Sequence, residues 1–81
     1  MKEMTIRLRS FQDIRDLSAI AGKMNFPVLL IDEKREGNAK SLMSMFGLNL
    51  RQNLTVCADC QDDDFEVFRL LAGRFEVGSN S

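Results

Sequence analysis

The 81 residues contain no histidine, no tryptophan and no tyrosine, and they include only two cysteines and one proline. Without histidine there is no Cys–His or Ser–His catalytic pair, no imidazole general base and no histidine metal ligand. Without tryptophan and tyrosine the chain lacks two aromatic side chains that often carry binding energy at interfaces. These absences favour a protein that is not an enzyme and that uses no metal or cofactor.

Charge and hydropathy exclude further classes. Eleven Lys and Arg stand against twelve Asp and Glu, for a formal net charge of −1 at pH 7, so the basic excess of a nucleic-acid binder is absent. The apolar runs are far shorter than the roughly 20 residues that span a bilayer, and no apolar signal core follows the first residues. We therefore expect a cytoplasmic protein that binds neither nucleic acid nor membrane, with one domain at 1–77 and a disordered tail at 78–81.

Hydrophobic periodicity predicts four strands and three helices in the order β-α-β-β-α-β-α. In chain order, the predicted elements are a strand at 4–8, a helix at 11–23, strands at 28–31 and 37–40, a short helix at 41–46, a strand at 54–58 and a last helix that begins in the acidic run 62–64. The strand at 37–40 is weak and is expected at an edge. This order predicts an α+β fold, a two-layer sandwich in which three helices cover one face of a small antiparallel four-stranded sheet.

Caps and apolar faces are predicted for the two longer helices. Ser10 and Asp13 have the spacing of a capping box, and Asp63 and Glu66 form a second such pair. The predicted apolar face of the first helix consists of Phe11, Ile14, Leu17, Ala21 and Met24. The predicted face of the last helix consists of Phe65, Phe68, Ala72 and Phe75, widened by Val67, Leu70 and Leu71.

The segment Asn38-Ala39-Lys40-Ser41-Leu42-Met43-Ser44 resembles the motif (N/D)-x-K-S-(I/L)-M-(G/S) of the HPr family. These small phosphocarrier proteins of the bacterial sugar phosphotransferase system carry the motif where their short second helix begins, and they share the predicted element order. The resemblance implies a bacterial protein with the HPr fold. It also implies protein partners of the family's kinds, which are phosphotransferase-system components, a serine kinase or a transcription regulator.

The family's phosphate-carrying histidine site is not preserved. Where the family has Gly-(I/V/L)-His-Ala-Arg-Pro at the start of its first helix, this chain has Ser10, Phe11, Gln12 and Asp13. Phosphoryl transfer to histidine is chemically impossible without an imidazole. In addition, Ser10 can satisfy the helix N–H groups that hold the phosphate in the family, and Asp13 would repel it. We expect a closed, capped helix start and a histidine-less member, like the Crh-type paralogues in that respect.

Ser41 matches the serine that a dedicated kinase phosphorylates from ATP in Gram-positive members of the family. The resemblance therefore implies a regulatory phosphorylation site, while the residues alone indicate a helix N-cap worth about 1 kcal/mol. The family also docks partners through an exposed apolar patch in this region. Here the predicted protein-docking residues are Lys40, Leu42, Met43, Met45 and Phe46. The apolar ones would alternatively cover the sheet, and we expect Met43 and Met45 to be the exposed members.

Cys57 and Cys60 form a single C-x-x-C motif and carry the alternative hypothesis, a thiol redox domain or a metal site that bridges a dimer. One chain does not supply the four ligands of a zinc site. A redox pair needs a lowered thiol pKa, which Asp59 and the acidic run 62–64 oppose. Two reduced thiols beside a solvated helix start are the simpler interpretation. The leading prediction is thus a docking or regulatory protein, monomeric or weakly homodimeric, with phosphorylation of Ser41 as its switch.

Overall fold

The structure, a computed structural model, describes residues 1–77. Its elements are β1 (Lys2–Ile6), α1 (Phe11–Gly22), β2 (Val28–Ile31), β3 (Glu36–Asn38), α2 (Leu42–Met45), β4 (Leu54–Ala58) and α3 (Asp62–Ala72), followed by a 3₁₀ turn at Gly73–Phe75. The predicted order and the predicted α+β sandwich are confirmed. The predicted tail at 78–81 lies outside the described residues.

The four strands form one antiparallel sheet in the order β1-β4-β2-β3. The central strand β4 pairs with β1 and β2 on its two sides, so that Val56 stands opposite both Met4 and Leu30. Because side chains alternate along a strand, these three residues form one row on the face that the helices cover. β3 pairs with β2 at the edge, where Gly37 stands opposite Leu30.

The core lies between the sheet and the helices, and within residues 1–77 it contains no buried polar or charged residue. Its largest fully buried side chains are Phe68, Phe75, Ile6, Leu17, Leu30, Met45, Leu54, Val28 and Val56. Met4, Ile6 and Leu8 are buried, and so are Phe65, Phe68, Ala72 and Phe75, which confirms the predicted alternation of the first strand and the predicted aromatic face of α3. No helix in the described part of the chain is both long enough and apolar enough to cross a membrane.

The start and the outer face of α3 differ from the prediction. The helix begins at Asp62 with Gln61 as its N-cap, and the Gln61 side chain makes no capping hydrogen bond, so the prediction of Asp63 as N-cap is wrong. The three apolar residues expected to widen the buried face are exposed; they are Val67, Leu70 and Leu71. A helix that rests on a sheet buries one stripe, and the aromatic stripe of α3 already fills that place.

The short helix α2 lies against the edge strand β3. The backbone N–H of Asn38 donates to Ser44 Oγ at 2.8 Å. Gly37 is buried beneath the helix, and a Cβ atom at this position would lie 2.9 Å from the Ser44 carbonyl oxygen. Glycine is therefore needed here for close approach of two backbones, and this contact fixes where α2 sits.

Candidate protein-docking site

The start of α1 is closed by reciprocal hydrogen bonds. Ser10 Oγ accepts the backbone N–H of Asp13 at 3.1 Å, and Asp13 Oδ2 accepts the backbone N–H of Arg9 at 3.0 Å. This is a capping box whose return bond reaches the residue before the N-cap. Gln12 points along the helix instead, where its Nε2 donates to Asp16 Oδ1 at 2.8 Å. The predicted capped start is confirmed, and a carboxylate stands where an anion would otherwise approach the helix.

Two exposed phenylalanine rings meet between α1 and α2. Phe11 opens α1 and Phe46 follows the end of α2, and their rings stack with centroids 5.9 Å apart and planes 2° apart. More than half of each side chain remains exposed. The prediction that Phe11 belongs to the buried face of α1 is wrong, because at the first helical position its ring packs on another exposed ring. The pair presents a flat apolar surface to solvent.

The predicted docking residues of α2 and its flanks fall into three groups. Met43 is 85% exposed, and Phe46 belongs to the exposed ring pair. Leu42 and Lys40 are half-buried, and Lys40 Nζ donates to the Met24 carbonyl oxygen at 2.8 Å. Met45 is fully buried, so the expectation that it is exposed is wrong. α2 is only one turn long, and that turn directs Met45 into the core.

Ser41 is the N-cap of α2. Its Oγ accepts the backbone N–H of Ser44 at 3.3 Å, and its own N–H donates to the Asn38 carbonyl oxygen at 3.0 Å. The residue is half-buried. The hydroxyl thus has a structural role already, and a phosphate group would be held one residue before Leu42 and two before Met43.

A groove of about 540 Å³ opens between the start of α1 and the segment that follows α2. Its lining is Arg7, Leu8, Arg9, Ser10, Ile14, Phe46, Leu50 and Arg51. None of its three guanidinium groups pairs with a carboxylate among residues 1–77. The groove therefore combines an apolar lining with three arginines that form no salt bridge within residues 1–77.

The arginine groove, defined as Arg7, Arg9 and Arg51, was not predicted from the sequence. The net charge of −1 does not indicate a local cluster of arginines. Arg51 lies far along the chain from the other two, so the fold is needed to bring the three together. We call Phe11, Met43 and Phe46 the apolar patch. The arginine groove and the apolar patch share Phe46 as a boundary. Together they form the candidate docking site, which we call the docking face.

Nothing in residues 1–77 supports the redox or metal hypothesis for the two cysteines. Cys57 is buried on the face of the sheet away from the helices, and burial together with the Glu3 carboxylate raises the pKa of its thiol. Burial and the carboxylates of Asp64 and Asp59 raise the pKa of the Cys60 thiol. Raised values disfavour the thiolate that redox exchange and metal binding require. Residues 1–77 hold no cluster of three or more His, Cys, Asp or Glu suited to a metal.

Comparison with solved structures identifies the fold. The structure of HPr-C-His from Thermoanaerobacter tengcongensis superposes with a TM-score of 0.72 at 21% identity, over 90% of this chain and 92% of that one. The histidine-containing phosphocarrier protein of Mycoplasma superposes with a TM-score of 0.69 at 18% identity, over 95% and 98%. The chain has the HPr fold. No protein-family model and no curated protein matches the sequence. The fold predicted from the Asn38–Ser44 motif is confirmed.

Proposed function

We propose that this chain is a divergent HPr-like protein of the phosphotransferase-system family, a cytoplasmic bacterial protein that acts by docking to other proteins. The fold and the Asn38–Ser44 motif support the family. Phosphoryl carriage on histidine is excluded for these 81 residues because none of them is histidine. The capping box of Ser10 and Asp13 occupies the start of α1 instead. A protein with this fold and no phosphate acceptor at the start of α1 can bind the family's protein partners but cannot carry phosphate on histidine.

The docking face is the observation that carries the proposal. Phe11 and Phe46 stack in solvent, and the exposed Met43 lies three residues before Phe46, a spacing that puts neighbours on one side of a helical turn. Methionine adapts its shape to varied partners. Arginines border this apolar surface. Arginine is the charged residue that is most enriched at binding hot spots. Because the groove is positive, the fitting partner is a protein surface with an apolar centre and carboxylates around it. A phosphotransferase-system component or a transcription regulator is the proposed partner class.

Phosphorylation of Ser41 is the proposed switch for this surface. A phosphate adds a charge of about −1.5 to −2 beside Met43. That charge repels an acidic partner and favours a basic one, so the modification exchanges one class of partner for another. Ser41 Oγ already accepts the Ser44 N–H, and the phosphate oxygens can replace it as acceptor at the start of α2.

Titration of the isotope-labelled chain with the phosphoenolpyruvate-dependent first component of the phosphotransferase system tests the docking face. We expect amide shifts at Phe11, Met43 and Phe46, and about tenfold weaker binding for Met43→Glu and for Arg51→Glu. Leu70→Glu is the matched control, since it introduces the same charge at an exposed apolar position on α3. If Met43→Glu and Arg51→Glu bind as tightly as the Leu70→Glu control does, the docking face is not the binding site.

Intact mass after incubation with an HPr serine kinase and ATP tests the switch separately. We expect addition of one phosphate to the chain and none to Ser41→Ala. A genuine HPr protein treated alongside shows that the kinase is active. If the folded chain gains no phosphate under those conditions, Ser41 is a helix cap and the switch is withdrawn, while the docking proposal stands on its own titration.

A further inference from the structure

The outer side of α3 carries a second exposed apolar surface. Val67 is 52%, Leu70 82% and Leu71 44% exposed. Residues at i, i+3 and i+4 lie side by side on a helix, so the three form one stripe, opposite the buried stripe of Phe65 and Phe68. A contiguous apolar surface in this position is typical of an interaction site. The stripe shares no residue with the docking face.

Opposite charges stand at the two ends of this stripe. Asp63 lies four residues before Val67, among the acidic residues of the first turn, and Arg74 follows Leu70 by four residues in the 3₁₀ turn. The Arg74 guanidinium contacts Asp16 and lies over the Phe75 ring, 4.4 Å from its centroid, yet 58% of the side chain is exposed. A guanidinium has five N–H donors, so it can bond a second carboxylate. Carboxylates thus stand at the start of the helix, and beyond its end Arg74, already paired with Asp16, keeps N–H donors free.

We propose that the outer face of α3 binds a second copy of this chain, with the two α3 helices antiparallel about a twofold axis. The twofold axis lies midway between Phe68 and Arg69. Each residue of one α3 helix therefore faces the residue of the second copy that lies at the same distance from the axis in the opposite direction along the sequence. Val67 then packs on Leu70 of the second copy, and Asp63 faces Arg74 of the second copy. The same register thus pairs Val67 with Leu70 and Asp63 with Arg74, each twice, and it sets Leu71 opposite Glu66 of the second copy at the edge of the contact. The antiparallel arrangement also places the positive N-terminal end of each helix dipole beside the negative C-terminal end of the other.

The predicted dimer is weak. Each copy contributes two apolar side chains that face each other, a third at the edge, and one charged contact of each sign, which is less than a standard interface supplies. We expect a dissociation constant on the order of 0.1 to 1 mM. Such an equilibrium is visible as an apparent mass that rises with protein concentration.

Sedimentation equilibrium of the 81-residue chain from about 20 μM to about 2 mM tests the proposal. The apparent mass of the parent is expected to rise from 9.2 kDa toward twice that value. Leu70→Glu is expected to weaken association about tenfold or more, because it places two carboxylates in the centre of the contact. Met43→Glu makes the same change on the docking face and is expected to associate as the parent does. A constant 9.2 kDa, or association that survives Leu70→Glu, overturns the proposal.

A charge variant tests the antiparallel register. Asp63→Lys places an ammonium opposite Arg74 in both halves of the dimer and is expected to weaken association by about threefold to tenfold. Glu33→Lys makes the same change in the exposed hairpin turn and is the matched control. Far-UV circular dichroism confirms that each variant is folded. Equal association by the two lysine variants overturns the register and with it the proposed geometry.

Discussion

Replacing Gly37 by alanine tests whether the position of α2, and therefore of the apolar patch, depends on its close approach to β3. The new Cβ would lie 2.9 Å from the Ser44 carbonyl oxygen and 3.1 Å from Ser44 Oγ. The carbonyl belongs to the backbone of α2, so the helix itself must move to relieve the contact. That movement also stretches the bond from the Asn38 N–H to Ser44 Oγ, now 2.8 Å.

Two opposing effects set the size of the change. Alanine in place of glycine restricts the unfolded chain, which stabilises by about 0.4–1 kcal/mol. Overpacking costs about 1–3 kcal/mol, and loss of one hydrogen bond costs about 1 kcal/mol more. The steric term wins, so Gly37→Ala is expected to lower the free energy of unfolding by about 1–3 kcal/mol. For a domain of this size, the melting temperature then falls by about 5–15 °C.

Gly22→Ala provides the matched control. Gly22 ends α1, and a Cβ atom there meets nothing within 4 Å. The higher helix propensity of alanine should therefore raise the free energy of unfolding by up to about 1 kcal/mol. Thermal and urea unfolding followed by circular dichroism measure both variants, and amide spectra report any displacement of α2. A Gly37→Ala protein as stable as the parent would refute the argument that this contact positions the helix.

Three further changes have expected outcomes in urea unfolding. Met45→Ala should lower the free energy of unfolding by about 2–5 kcal/mol, because the Met45 side chain is buried. Met43→Ala should lower it by less than about 0.5 kcal/mol, because the Met43 side chain is exposed. Equal effects of the two substitutions would contradict this placement. Ser41→Ala should cost about 1 kcal/mol through loss of the N-cap, and an unchanged stability would show that the cap bond contributes nothing. The backbone N–H of Asn49 and two N–H groups of the hairpin turn hold the pKa of Asp32 below its ordinary 3.8. The stabilisation by this carboxylate is present above pH 3.8 and is lost as pH falls through the lower folded-state pKa. Asp32→Asn should therefore be less stable than the parent at pH 7, and the difference should shrink in acid; a difference independent of pH would contradict the assignment.

The sheet and its core were predictable because apolar and polar residues alternate along a strand that is buried on one face only, and this pattern is visible in the local sequence. Met4, Ile6 and Leu8 are buried as their spacing predicts, although β1 spans Lys2–Ile6 instead of 4–8. The difference has a physical cause. Strand bounds follow the hydrogen-bonded partner, and β1 pairs with β4 from Lys2 opposite Ala58 to Ile6 opposite Leu54. The apolar pattern predicts which side chains are buried, and the ladder sets where the strand begins and ends.

The outer stripe of α3 was mispredicted because helical spacing does not say which of two apolar stripes meets the sheet. Phe65 and Phe68 lie on one side, and Val67 and Leu70 on the other, with the same periodicity. The larger aromatic side chains bury more apolar area per residue, and burial is roughly proportional to that area. Comparing the two stripes by size would have favoured the aromatic one.

The docking face was only partly accessible from the sequence. The motif pointed to α2, but a single turn is too short for periodicity to separate the exposed Met43 from the buried Met45. The arginine groove depends on tertiary structure, because the loop between β1 and α1 carries Arg7 and Arg9, and the fold brings Arg51 from the loop before β4 beside them. No local pattern marks residues that meet only through the fold.

The charges around the two exposed apolar surfaces argue for different occupants. The lining of the arginine groove contains arginines and no carboxylate, so two copies facing each other there would repel, which favours the proposed acidic partner. The stripe on α3 has Asp63 at one end and Arg74 at the other, so a twofold axis brings opposite charges together twice. Higher salt should therefore weaken both associations. Met43→Glu, however, should affect only the first and Leu70→Glu only the second, and either variant affecting both would mean that the two surfaces are one.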